Sequence, residues 1–227
     1  STDLLLCLFP FEEGILKEHN VNAVFIGHPL ADSIQQKIDF KTAKNNLELK
    51  AKIVVALMPG SRSSEINRHA KLFFEAAKLL TNKFEDIEFV MPVVDSKIGE
   101  QLKKILDLYL TDLKVTITDS THSALSASDL VITKSGTSTL EAALHKKPMV
   151  VVYKMSSLSY WFLKTFNIVD TEYIALPNIL LGKKLVPELI QENASSKTIY
   201  AESLFWLSNQ QKVVELQQQF NFLHLQL

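Results

Sequence analysis

The sequence predicts an α/β fold built on a doubly wound parallel sheet. Three observations carry that expectation. Short apolar runs rich in Val and Ile recur through the middle of the chain. Each is followed by a segment whose apolar residues fall at helical spacing, and several of the joins carry glycine or proline where a strand must turn into a helix. Strands alternating with helices imply right-handed crossovers and a parallel sheet covered on both faces.

Taken in order, Leu4 to Phe11 is an apolar run of eight residues that reads as a buried strand. It contains Pro10, is too short to cross a bilayer, and lacks the basic flank and cleavage site of a signal peptide. Phe25-Ile26-Gly27-His28-Pro29-Leu30-Ala31-Asp32 ends a second strand at a glycine and holds His28 in extended geometry before proline. Ser33 to Lys50 is polar and reads as a connector with a short helix. Ile53 to Leu57 is the first strand of the main domain. After the turn Met58-Pro59-Gly60-Ser61, a helix follows with Ile66, Ala70, Phe73, Phe74, Ala77 and Leu80 on one face. Ile87 to Val90, Val115 to Ile117, Leu130 to Ile132 and Met149 to Val152 supply the next four strands. Helical stripes lie between them, through Ile98, Leu102 and Ile105 and through Leu140, Ala143 and Leu144. Leu158, Trp161, Phe162 and Phe166 form an aromatic stripe that suits core or subunit packing. Because Lys154 and Lys164 flank it, a membrane interface stays open as an alternative. Leu176 to Leu180 and Pro187 to Gln191 read as loops or helix starts. From Ser196 onward the chain is helical, with Phe205, Trp206, Leu216, Phe220 and Leu223 available for packing.

Composition narrows the function. The 227 residues are 47% hydrophobic and 22% charged, enough for a core in one large domain or one and a half. With 24 Lys+Arg against 25 Asp+Glu the net charge is -1, so no global field recruits nucleic acid. The single Cys7 excludes an internal disulfide and a cysteine-rich zinc site, and suits a reducing compartment. The histidines show no H-x-x-x-H spacing, and no metal site is expected. Six glycines are few against the ~7% of an average protein, so each answers a local backbone demand.

Ligands of doubly wound sheets bind at the carboxyl ends of the strands, which directs attention to two turns. In Pro59-Gly60-Ser61-Arg62 the backbone N–H groups at a helix start face outward, and Arg62 adds a planar cation suited to phosphate. The alternative is a plain turn whose arginine pairs with Glu65. In Ser135-Gly136-Thr137-Ser138-Thr139 an anion can take N–H groups and hydroxyls, with Lys134 just before. Glu141, one turn into the helix, can accept both hydroxyls of a ribose. The alternative there is a capping box between Ser138 and Glu141. The glycine-rich dinucleotide fingerprint is absent from both turns.

The ordered blocks Phe9 to Glu12, Gly27 to Asp32, Leu57 to Arg62 with Ser64-Glu65-Ile66, Ser135 to Glu141, Lys147 to Val151, Leu176 to Leu180 and Pro187 to Gln191 together resemble one family, the lipid-A-disaccharide synthases. The resemblance implies a two-domain glycosyltransferase of the B type, with Rossmann-like halves across a cleft. It implies a reaction joining UDP-2,3-diacylglucosamine to 2,3-diacylglucosamine 1-phosphate, with release of UDP and inversion, and no metal or redox cofactor. Residues 1–32 then read as the end of an amino-terminal domain plus a connector, 33–195 as the UDP-binding domain, and 196–227 as helices packing back on the amino-terminal half. Carried over, Gly60, Ser61 and Arg62 face the diphosphate. Ser135, Gly136, Thr137, Ser138 and Thr139 cradle phosphate, and Glu141 holds the ribose. Asn178 and Gln191 add further polar contacts in the cleft, and His28, which sits in the interdomain connector, is assigned a positioning role. The catalytic base is expected in the half that is missing. Acylated substrates imply a cytoplasmic protein working peripherally at the inner membrane surface, and the family suggests a homodimer. The competing expectation is a non-catalytic nucleotide-sugar-binding or dimerisation module, or another UDP-sugar enzyme of this architecture.

Overall fold

The computed structural model describes residues 3–93, 95–109, 113–155 and 172–227. At its centre is a six-stranded sheet in the order β5-β4-β3-β6-β7-β8, formed by β3 (Ile53–Met58), β4 (Ile87–Pro92), β5 (Val115–Thr118), β6 (Leu130–Lys134), β7 (Met149–Tyr153) and β8 (Glu188–Ile190). Every neighbouring pair is parallel. Numbered from its first strand, this is the 3-2-1-4-5-6 order of a Rossmann sheet. The chain direction across the sheet reverses between β3 and β6, so the turns leaving those two strands splay apart and open a crevice.

Sequence explains the placement of the strands. Val54, Val55, Ala56 and Leu57 of β3 are all fully buried, as are Leu130, Val131 and Ile132 of β6. A continuous apolar run rather than an alternating one is what a central strand with helices on both faces requires. The helix α4 (Ser63–Thr81) buries Ile66, Ala70, Phe73, Phe74, Ala77 and Leu80 as one stripe. Between the remaining strands lie α5 (Ser96–Tyr109), α6 (Thr121–Ala127) and α7 (Thr137–Leu144). After β7 come α8 (Leu176–Leu181), then β8, a 3₁₀ turn at Gln191–Asn193, and α9 (Ser196–Ser208) and α10 (Gln210–Gln226). The aromatic stripe through Leu158, Trp161, Phe162 and Phe166 falls outside the described residues.

Two segments differ from expectation. Pro187 to Gln191 is not loop: Glu188, Leu189 and Ile190 pair with Val151, Val152 and Tyr153 as the sixth strand. Three residues are too few to display a period. Leu4 to Phe11 is not one buried strand. Only Leu5–Cys7 is extended (β1), pairing in parallel with β2 (Ala23–Phe25), and Pro10 opens α1 (Pro10–Glu18). Cys7 is buried, but Leu4, Leu6, Phe11 and Ile15 are exposed, because no second layer among the described residues covers this two-stranded unit. The polar connector contains α2 (Pro29–Ser33) and α3 (Phe40–Asn46).

The last two helices complete the sheet domain. α9 lies against α4 and strands β6 and β7, and α10 lies against α7 and α8. Ile199, Trp206, Leu216, Phe220 and Leu223 join the same core as the strands. The end of α10 also reaches the connector: His224 Nε2 donates to the Ala31 carbonyl at 2.8 Å, and the His28 N–H donates to the Leu227 carbonyl at 2.8 Å.

Candidate functional site

At the carboxyl ends of β3, β4 and β6 lies a cleft of about 190 Å³. Met58 and Pro92 mark the ends of two of these strands in its wall, and Lys134 marks the third. The turns singled out in the sequence meet here: Gly60, Ser61, Gly136, Thr137, Ser138 and Glu141 all line the cleft. Arg62 stands at its rim, with a side chain 80% exposed.

Backbone conformation makes each turn possible. Gly60 has φ +134°, and a Cβ there would lie 2.6 Å from Glu65 Cβ. Gly136 caps α7 with φ 153° and ψ -163°, a region open to glycine almost alone. Among the described residues, the N–H groups of Gly136, Thr137 and Ser138 find no acceptor. They stand at the positive end of α7, where an anion is favoured.

The hydroxyls of this turn are used differently. Ser135 Oγ donates to the Ile174 carbonyl at 2.8 Å, and Ser138 Oγ lies 2.9 Å from Thr133 Oγ1. Thr139 Oγ1 donates to the Gly136 carbonyl at 2.7 Å and accepts from the Leu176 N–H at 3.2 Å. Three hydroxyls therefore brace the loop from behind, and Thr137 is the one left exposed in front. The Ser138–Glu141 capping box does not form, because the cap is Gly136, two residues earlier. The Glu141 carboxyl group has no hydrogen-bond partner among the described residues, and burial raises its pKa above the usual carboxylate value. It is an acceptor held ready at the cleft wall.

Glu65 and Lys134 are the cleft residues that the turn motifs underplay. Glu65 Oε2 accepts the Ser61 N–H at 3.1 Å, and Glu65 Oε1 lies 3.1 Å from Lys134 Nζ and 3.5 Å from Arg62 Nη1. Burial works to raise the Glu65 pKa, but the hydrogen bonds from Lys134 and Ser61 and the two positive charges outweigh it and hold the carboxyl below its ordinary value. Behind them, His69 Nδ1 donates to the Glu65 carbonyl at 2.8 Å, and its Nε2 accepts the Lys154 N–H at 3.0 Å. That histidine is buried, and desolvation lowers its pKa. The signal for Glu65 in the sequence was its place three residues after Arg62, the third position of the helix, where a carboxylate reaches back to the turn.

The other expected residues lie outside the cleft lining. Asn178 is wholly buried, and its amide is saturated: Nδ2 donates to the Val186 carbonyl and Glu188 Oε1, and Oδ1 accepts from the Leu185 and Val186 N–H groups. Gln191 has φ 49°, its Oε1 accepts the Met155 N–H at 3.4 Å, and its buried Nε2 has no partner among the described residues. His28 caps α2 by accepting the Leu30 N–H at Nδ1 and packs on the Phe9 ring at 5.2 Å. Burial lowers its pKa.

The model of the lipid-A-disaccharide synthetase family matches residues 1–226. The chain belongs to this family. A lipid-A-disaccharide synthase of Pseudomonas putida (strain W619) is 43% identical over 198 residues, which cover 87% of this chain and 52% of that protein. One from Xylella fastidiosa (strain M12) is 39% identical over 236 residues, covering all of this chain and 60% of its own length. The chain thus spans about half to three fifths of the curated family members it matches. Among solved structures, the C-terminal domain of a group 1 glycosyl transferase (LpcC) from Francisella tularensis superposes with a TM-score of 0.58 at 14% identity. The match covers 85% of this chain and 94% of that domain. UDP-GlcNAc 2-epimerase from Neisseria meningitidis, bound to UDP-GlcNAc, gives 0.63 at 13% identity over 97% of this chain and 56% of that one. At such identities these two likenesses establish the fold: a Rossmann-like half of the kind found in B-type glycosyltransferases, here in the lipid-A-disaccharide synthetase family.

Proposed function

We propose that this chain is the UDP-binding part of a glycosyltransferase that joins UDP-2,3-diacylglucosamine to 2,3-diacylglucosamine 1-phosphate, inverting the donor's anomeric centre and releasing UDP. One observation carries the reading: both glycine turns open into one cleft at the point where the strand order reverses, with unpaired N–H groups at the start of α7 and the Glu141 carboxylate one turn further along the same helix. Phosphate oxygens suit the N–H groups of Gly136 to Ser138, the Gly60-Ser61 backbone and Arg62. Ribose hydroxyls suit Glu141, which accepts without needing to be released from a partner. The hydroxyls of Ser135, Ser138 and Thr139 support the loop, and Thr137 is the one that reaches a ligand directly. Asn178 acts from behind, by ordering the segment whose Ile174 carbonyl receives Ser135. Gln191 keeps a buried amide Nε2 without a partner among the described residues, outside the cleft lining, and His28 takes a positioning role in the connector.

The base that deprotonates the acceptor hydroxyl belongs, in this reading, to the part of the family members' length that this chain does not span. Acylated substrates place the reaction at the cytoplasmic face of the inner membrane, with the protein bound peripherally and acting as a homodimer. No helix among the described residues is long and apolar enough to cross a membrane, which is compatible with that placement. Calorimetric titration of the 227-residue chain tests the nucleotide reading. UDP is expected to bind and NAD is not. Arg62→Ala and Glu141→Gln should each weaken UDP by about tenfold, and UDP affinity unchanged in both variants would overturn the reading.

A further inference from the structure

We infer that Lys134 is a phosphate-binding residue of this cleft and that Glu65 keeps it occupied until the nucleotide arrives, its carboxylate standing in for the ligand's phosphate. The inference rests on the nucleotide reading above and adds two residues and an exchange step to it.

The argument starts from what one carboxylate holds. Glu65 takes the Ser61 N–H at 3.1 Å, Lys134 Nζ at 3.1 Å and Arg62 Nη1 at 3.5 Å. Those three donors come from both turns at the reversal point, and they are the donors an incoming oxyanion would seek. Helix capping explains the Ser61 contact, since a carboxylate in the third helical position ordinarily reaches back to the turn. It does not explain the Lys134 contact, which comes from the end of β6, on the other side of the crevice. Lys134 differs from Arg62 in exposure, with 21% of its side chain accessible against 80%. A half-buried ammonium is screened less than one at the rim. Glu65 is its ion-pair partner among the described residues, so the less exposed of the two cations is already neutralised by a carboxylate.

Gly136 lets this lysine lie close to the cradle. A Cβ at Gly136 would come within 3.3 Å of Lys134 Nζ, which places the ammonium against the same turn that presents the unpaired N–H groups. A nucleoside diphosphate carries more negative charge than one carboxylate and brings several acceptor oxygens. It can therefore replace Glu65 on Lys134 and on the Ser61 N–H together. When the diphosphate leaves, the carboxylate closes back and restores a neutral pair. The exchange makes the site selective: an anion with a single weak charge gains little from displacing Glu65, whereas a diphosphate gains more.

The test is UDP titration of the full 227-residue chain and of three variants, with melting temperatures recorded to establish that each is folded. Lys134→Met should weaken UDP binding by about tenfold or more, as expected for loss of a charge-assisted contact, and Lys134→Arg should recover most of it. Glu65→Gln keeps an acceptor for the Ser61 N–H but removes the competing charge, so it should tighten UDP binding by about three- to tenfold. UDP affinity that is unchanged in Lys134→Met, or weakened in Glu65→Gln, overturns the inference while leaving the nucleotide site standing. Failure of the unaltered chain to bind UDP overturns the site itself.

Discussion

Gly60 is the residue on which the first turn depends. At φ +134° it occupies a conformation L-residues avoid, and a side chain there would meet Glu65 Cβ at 2.6 Å and Glu65 Oε2 at 2.7 Å. Gly14 is the contrast: it lies inside α1 and would meet nothing within 4 Å. Gly60→Ala should therefore lower stability by about 2 kcal/mol or more and weaken UDP binding, whereas Gly14→Ala should raise stability by about 0.5 to 1 kcal/mol. Chemical denaturation of the two variants side by side decides it, and equal effects would remove the special status of Gly60. At this scale much of the site was legible. Glycine and a polar group after a buried strand mark a candidate turn, and residues of both turns so marked line the one cleft. The inward orientation of the Ser135, Ser138 and Thr139 hydroxyls was not legible, because it depends on the Ile174 carbonyl, the Thr133 hydroxyl and the Leu176 N–H that the fold brings to them.

Among the elements, α8 and β8 form the least obvious piece of the domain. The Glu188 carboxylate receives the Ile174 and Ala175 N–H groups and Asn178 Nδ2, so the strand fastens the segment that leads into the preceding helix. Asn178 returns the connection by bonding Leu185 and Val186. Asn178→Ala leaves several buried main-chain groups unpaired, at about 1 to 3 kcal/mol for such losses. It should shift the denaturation midpoint downward accordingly, and a midpoint unchanged from the parent would show that the amide is dispensable. The five longer strands were readable because β3, β6 and β7 open on uninterrupted apolar runs, and β4 and β5 set their apolar residues around a single polar one, Glu88 or Thr116. β8 was not, since its length hides the alternation and its partner β7 is distant in sequence. The leading segment was misread for the converse reason: Leu4 to Phe11 has the composition of a core strand, but composition does not say whether a neighbour lies over it.

For the molecule as a whole, the sheet has two ends with different electrostatics. The cleft occupies the carboxyl end. Past the far end of α7, His145 Nδ1 donates to the Glu141 carbonyl at 2.8 Å, which leaves Nε2 to accept from His122 Nδ1 at 3.0 Å. Burial, first, and the neighbouring positive groups push the His145 pKa down to about 4 from 6.5, against the contrary effect of its hydrogen bond to Glu141. A histidine whose folded pKa is depressed is neutral in the fold while the unfolded chain takes up a proton below about pH 6.5. Stability is then lost as pH falls from 6.5 toward 4, by on the order of 3 kcal/mol for this group. Thermal unfolding between those pH values should show the decline, and His145→Asn should flatten it. A variant with the parent's slope would assign the acid sensitivity elsewhere.

The arrangement of the cleft also carries a lesson for inhibitor chemistry. The Gly136-Thr137-Ser138 side presents three unpaired N–H donors, and Glu141, one turn further along the same helix, presents a carboxylate acceptor. A synthetic ligand that complements this wall needs an anionic head group at one end and a pair of hydroxyl or amine donors at the other, about one helical turn apart. A compound with the same groups in reverse order would place charge against charge, so the wall fixes the direction in which a binder can lie.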